Sequence, residues 1–220
     1  MRLTRMAKQT AMTAILAAGF AAPAISHPHV FAEARLDVVL SAEGNVTSLQ
    51  HLWRFDDLFS STVLVEFDKN GDLKLDEGEL AAVGQTVKES LAEYGYFQVV
   101  TAAGKDVAMN KPDKLTADFK DSQLIILFES APSAPMPLSG KLTFGVYDPT
   151  FYTAIDFTED SYLNVADLPA KCKKAVIRPD PDEALAQNQG TLTEAFFTDP
   201  AGTNMAKIFA TRLELDCANG

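Results

Sequence analysis

At 220 residues the chain is long enough to bury a substantial hydrophobic core, as one large domain or two small ones. Hydrophobic residues make up 47% and charged residues 22%, which excludes a disordered or fibrous chain. With 30 acidic and 19 basic residues the formal charge is −11, a surface that repels phosphate backbones and suits cations, so nucleic acid is excluded as a partner.

Residues 1–8 carry Arg2, Arg5 and Lys8 without an acid, residues 11–22 are apolar and small, and small residues follow up to Ser26. This is the order of a secretory signal peptide, too short for a membrane anchor, with cleavage expected after Ala24 or, preferably, after Ser26. Beyond residue 26 no apolar run approaches the roughly 20 residues that cross a bilayer. The expected layout is therefore a signal peptide over residues 1–26 and one periplasmic domain over 27–220, beginning His27-Pro28-His29. In an oxidising compartment Cys172 and Cys217 read first as a structural disulfide, with metal-ligating thiols as the alternative.

Residues 30–40 and 46–55 predict a β-hairpin around the turn at 41–45. Apolar spacing predicts helices over 56–67 and 79–94, the first capped by Asp56 or Asp57 and the second ended by Gly95. Short strands are expected at 97–102, 115–119, 123–129, 141–147, 152–157 and 172–178, and a short helix opened by Pro179-Asp180-Pro181-Asp182 and running to about Gln189. The proline-rich stretch 131–137 suits neither a helix nor a central strand. Residues 207–215 fit a strand or a helix equally. The fold class is α+β: a mainly antiparallel, sandwich-like β domain with a helix–loop–helix insertion at about 56–94.

The loop of that insertion matches the 12-residue EF-hand pattern. Asp68, Asn70 and Asp72 fill positions 1, 3 and 5, Lys74 would offer its backbone carbonyl at 7, Asp76 stands at 9 and Glu79 at 12. Position 6 departs from the pattern, because Leu73 stands where glycine would supply a positive φ, at a cost of roughly 1–2 kcal/mol. Such a loop either holds Ca²⁺ as a structural clip or keeps the shape without the ion.

All three histidines, His27, His29 and His51, lie near the start of the mature chain. Antiparallel pairing in the hairpin is expected to bring His51 toward His29, and imidazoles with an acid or water suit Zn²⁺, Ni²⁺, Co²⁺ or Cu²⁺. The bland alternative is a polar tail and a hydrogen-bonded His51. The segments Trp53-Arg54-Phe55-Asp56 and Tyr147-Asp148-Pro149-Thr150-Phe151-Tyr152 read first as core and turn, with Asp148 and Asp56 as candidate carboxylate ligands of a mixed site. No nucleophile elbow, zinc-protease helix, phosphate loop or dinucleotide fingerprint is present, which argues against an enzyme.

The His27-Pro28-His29-Val30-Phe31 start, the Trp53–Asp56 segment, the EF-hand-like loop and the Tyr147–Tyr152 segment together resemble an uncharacterised bacterial periplasmic family. It is often labelled the periplasmic component of an ABC-type transport system. Members are typically encoded beside permeases of the nickel/cobalt type, and some are implicated in zinc acquisition. The resemblance implies a periplasmic accessory role in metal handling, with His27 and His29 as natural ligands and an inner-membrane permease as partner. The leading expectation is capture of a divalent transition metal (Zn, Ni or Co) for delivery to that permease. The alternative is a non-catalytic interaction module with a Ca²⁺-stabilised loop, and an enzyme using metal-bound Asp148 or Asp56 comes last.

Overall fold

The computed structural model describes residues 28–192, 194 and 206–218. The signal-peptide expectation and His27 lie outside the described residues.

The hairpin forms as expected from β1 (Val30–Leu40) and β2 (Asn45–Phe55). Val30, Ala32, Ala34, Leu36 and Val38 point inward while Phe31, Glu33, Arg35 and Asp37 alternate outward, the period of a half-buried strand. Asp56 ends the hairpin and starts the next element. One carboxylate oxygen accepts from Phe31 N at 2.8 Å and the other caps α1 (Asp57–Phe67), accepting from Phe59 N at 2.9 Å.

Helix α2 (Glu77–Leu91) ends three residues before the predicted boundary. A 3-10 segment, Ala92–Phe97, replaces its last turn, because Gly95 and Tyr96 adopt positive φ of 58° and 57° and break the helical path. Both helices are fixed to one sheet. Ser60 Oγ, fully buried in α1, accepts from Leu124 N at 2.9 Å. Gly84 lets α2 lie against the neighbouring strand, since a Cβ there would stand 2.5 Å from the Leu115 carbonyl oxygen.

Ten further short strands complete two sheets: β3 (Gln98–Ala102), β4 (Lys105–Asp106), β5 (Leu115–Lys120), β6 (Gln123–Ser130), β7 (Met136–Pro137), β8 (Gly140–Val146), β9 (Thr153–Asp156), β10 (Leu163–Val165), β11 (Cys172–Ile177) and β12 (Arg212–Cys217). The first sheet runs β10-β1-β2-β6-β5, with β9 also on β1 and β7 on β2; the second runs β11-β12-β8-β3-β4. Most pairings are antiparallel, and the arrangement is a mixed α+β, sandwich-like pair of sheets.

Two pairings are parallel. Strand β9 lies along Val30–Glu33 and β10 along Leu36–Val38, both on the same side of β1. The chain reaches them from the second sheet and not through a hairpin turn, so no tight turn imposes reversal. The proline-rich stretch contributes only the two-residue β7 at the end of β2. Residues 206–217 resolve into both elements the sequence allowed, a 3-10 turn (Ala206–Phe209) followed by strand β12. Helix α3 (Pro181–Asn188) forms where a short helix was expected, and Asp180 caps it, its side chain accepting from Glu183 N.

The facing sides of the sheets bury Trp53, Phe144, Phe157, Leu36, Leu49, Leu213 and their neighbours in one core. Cys172 and Cys217 are register partners on β11 and β12 and form a disulfide. Among the described residues no helix is long and apolar enough to cross a membrane.

Candidate functional site

The loop between α1 and α2 adopts the conformation its sequence pattern demands. Asp68 Oδ1 accepts from Gly71 N at 2.7 Å and from Asp72 N at 3.2 Å, and its Oδ2 accepts from Leu73 N at 2.7 Å. Asn70 accepts from Asp72 N and Asp72 accepts from Lys74 N, each at 2.9 Å. These side chains wind the loop by binding backbone N–H groups two to five residues ahead.

Glu79 folds back over the loop. Its carboxylate accepts from Lys69 N at 2.8 Å and from Asp76 N at 2.9 Å, while Asp76 accepts from Glu79 N, a reciprocal capping box that starts α2. Leu73 takes φ 59° with its side chain 72% exposed, so the departure at position 6 is accommodated as backbone strain and not as a different fold. Among the described residues no group of three or more His, Cys, Asp or Glu side chains is gathered as a metal site.

The N-terminal edge is built by the parallel pairing of β1 with β9. His29 N and Val30 N both donate to the Tyr152 carbonyl, at 2.9 and 3.2 Å, and the exposed His29 ring lies 5.2 Å from the Tyr152 ring. The sequence-predicted Tyr147–Tyr152 segment is thus next to the histidine terminus. Asp148 is buried and already engaged: it accepts from Thr150 N at 2.8 Å, Thr150 Oγ1 at 2.7 Å and Thr153 N at 2.8 Å, closing the turn that precedes β9. Burial beside that carboxylate pushes the Tyr147 hydroxyl pKa well above its usual value.

The expected meeting of His51 with His29 does not occur. Register pairs His51 with Leu36, seven residues beyond His29 and roughly 23 Å along an extended strand. It is the end of β2, Phe55 opposite Ala32, that comes back to the histidine terminus. His51 shares the inward face with Leu49, Trp53 and Phe55, is 3% exposed and stacks on Phe128 with ring centroids 4.3 Å apart. Neither ring nitrogen has a hydrogen-bond partner, so the predicted hydrogen-bonded alternative is corrected as well. Burial depresses its pKa to about 3, opposed by the nearby Gln98 side chain. That amide is committed elsewhere, accepting from Ser130 Oγ and donating to the Gly95 carbonyl.

One feature carried no motif. A cleft of about 590 Å³ lies between the helix pair, the first sheet and the 148–153 turn. Phe59, Val63 and Phe67 from α1 face Val83, Val87 and Leu91 from α2, and Trp53 and Phe55 lie at its base. Spacing of three to four residues marks both helical stripes in the sequence, where they read as ordinary core.

Relatives are distant and uncharacterised. An "Uncharacterized protein" of Haemophilus influenzae is 23% identical over 198 residues, covering 88% of this chain and 92% of its own. An "Uncharacterized 15.5 kDa protein in trpE 3'region" of Spirochaeta aurantia is 23% identical over 136 residues, or 62% of this chain and 97% of its own. Among solved structures, the acetylcholine-binding protein AChBP of Bulinus truncatus aligns with a TM-score of 0.32 at 12% identity, over 86% of this chain and 85% of its own. Acetylcholine-binding protein type 1 of Biomphalaria glabrata gives 0.33 at 9%, over 90% of each chain. Scores of that size carry no argument about fold or function. Residues 12–217 match the family described as Protein of unknown function (DUF1007), and the chain belongs to that family.

Proposed function

We propose that this chain is a non-catalytic periplasmic accessory protein that captures a divalent transition metal (Zn, Ni or Co) at His27-Pro28-His29 and passes it to an inner-membrane permease. The observation that supports this most is the anchoring of His29. Its backbone is pinned to Tyr152 while its imidazole stands at the exposed start of β1. Pro28 restricts the spacing to His27, and cleavage after Ser26 would add the His27 amine to the donor set. A site of few ligands at a chain terminus exchanges metal readily, which suits delivery more than storage. The acidic surface favours cations, and the disulfide suits an exported protein.

The test is growth of a bacterium that depends on this chain under zinc, nickel or cobalt limitation. A His27→Ala/His29→Ala variant, secreted and folded as well as the parent, should fail to support growth, and full growth would contradict the proposal.

A second reading, an interaction module clipped by Ca²⁺, is supported by the preorganised loop around Asp68, Asn70, Asp72, Lys74, Asp76 and Glu79. Ca²⁺ should then raise the melting temperature, as any ligand of the native state does. Leu73→Gly should stabilise the loop by about 1 kcal/mol and tighten Ca²⁺ binding, because glycine adopts φ 59° without strain. Identical melting curves with Ca²⁺ and with a chelator, in parent and variant, would rule this reading out.

A further inference from the structure

We propose that the cleft between the helix pair and the first sheet, which borders the histidine terminus through Val30 and Tyr152, binds a small apolar cation, an ammonium group carried on an alkyl or aryl body. Its volume of about 590 Å³ is in the range of small-molecule sites, and its walls are predominantly apolar. The charge of the lining decides the ligand class. Among the described residues, Glu66 and Asp148 are the charged side chains lining the cleft, and no lysine, arginine or histidine accompanies them. A carboxylate or phosphate head would enter beside two acids with no counter-charge to replace its water. A cation meets the opposite situation: exposed Glu66 in α1, and Asp148 fixed in place by Thr150 and Thr153.

The aromatic lining points the same way. Trp53, Tyr94, Phe97 and Tyr152 all border the cleft, and ring faces attract ammonium groups where water is excluded. Trp53 is 1% exposed at the base, stacked on Phe97 with centroids 6.0 Å apart. It is also the single tryptophan of the chain, so its emission reports on the base of the cleft and the core residues packed against it there.

The experiment is a fluorescence titration of the whole mature chain with three probes of equal chain length: decyltrimethylammonium and decanoate below their micellar concentrations, and decanol below its solubility limit. Decyltrimethylammonium should change Trp53 emission saturably, decanol more weakly, and decanoate not at all. Glu66→Gln, at an exposed position that leaves folding intact, should weaken the ammonium probe about threefold to tenfold and leave decanol unchanged. Val87→Phe, which narrows the cleft between the two helices, should weaken binding of both. Equal binding of decanoate or decanol, an unchanged affinity in Glu66→Gln, or no saturable response to any probe would overturn the proposal.

Discussion

Replacing Cys172 and Cys217 together by alanine should destabilise the chain by about 4 kcal/mol. The bond joins register partners 45 residues apart in sequence, and that span includes α3 and the return of the chain into β12. Without it, the unfolded chain regains the freedom of the open loop, while β11 stays at the sheet edge, paired on one side with β12. Chemical denaturation of the parent, with and without reductant, and of the double variant measures this directly. Reduced parent and variant should coincide at a lower midpoint. A midpoint unmoved by complete reduction would show that the strand pairing alone secures the C-terminal end.

Acid should destabilise the protein through His51. Its pKa falls from 6.5 in the unfolded chain to about 3 when folded, so the unfolded state takes up the proton first as pH drops. Stability from this group is therefore complete well above pH 6.5 and is lost progressively down to about pH 3, by an amount on the order of 5 kcal/mol. His51→Leu removes the titrating ring and its two unpartnered nitrogens from an apolar position stacked on Phe128. The variant should match or exceed the parent at neutral pH and lose most of the slope between pH 6.5 and 3. Denaturant midpoints measured at intervals across that range test it, and an equal slope in both proteins would show that other groups dominate acid unfolding.

The disulfide was legible because an exported chain with two cysteines is expected to pair them, and the hairpin, α1 with its Asp56 cap and the EF-hand-like loop because each is governed by local chemistry. Alternation over 30–40, a capping acid before an apolar stripe, and side-chain acceptors at fixed offsets act within a dozen residues. The parallel strands β9 and β10 were not legible, since their placement on β1 depends on a route through the other sheet. The second helix ended early because Tyr96 as well as Gly95 took positive φ, which residue type alone does not announce.

His51 shows where a local signal was present and a chemical preference overrode it. Its period-two relation to Leu49, Trp53 and Phe55 places it on the buried face, but three histidines close together in sequence suggested a shared metal. Register decides between these, because a hairpin pairs the end of β2, not its middle, with the start of β1. Asp148 likewise stands close to the histidine terminus, yet its oxygens serve Thr150 and Thr153. The cleft escaped the sequence altogether. Two apolar helical stripes identify surfaces that bury, and only the angle between the helices and the sheet shows that they leave space.

Transition-metal binding at the histidine terminus is tested most directly by calorimetric titration of untagged chain beginning at His27. Zn²⁺, Ni²⁺, Co²⁺ and Cu²⁺ would each be titrated in the presence of saturating Ca²⁺, into the parent and into His27→Ala/His29→Ala. The parent should bind one transition metal with sub-micromolar affinity, and the variant should lose that binding. Binding no better than weak in the parent, or equal in the two proteins, would contradict it.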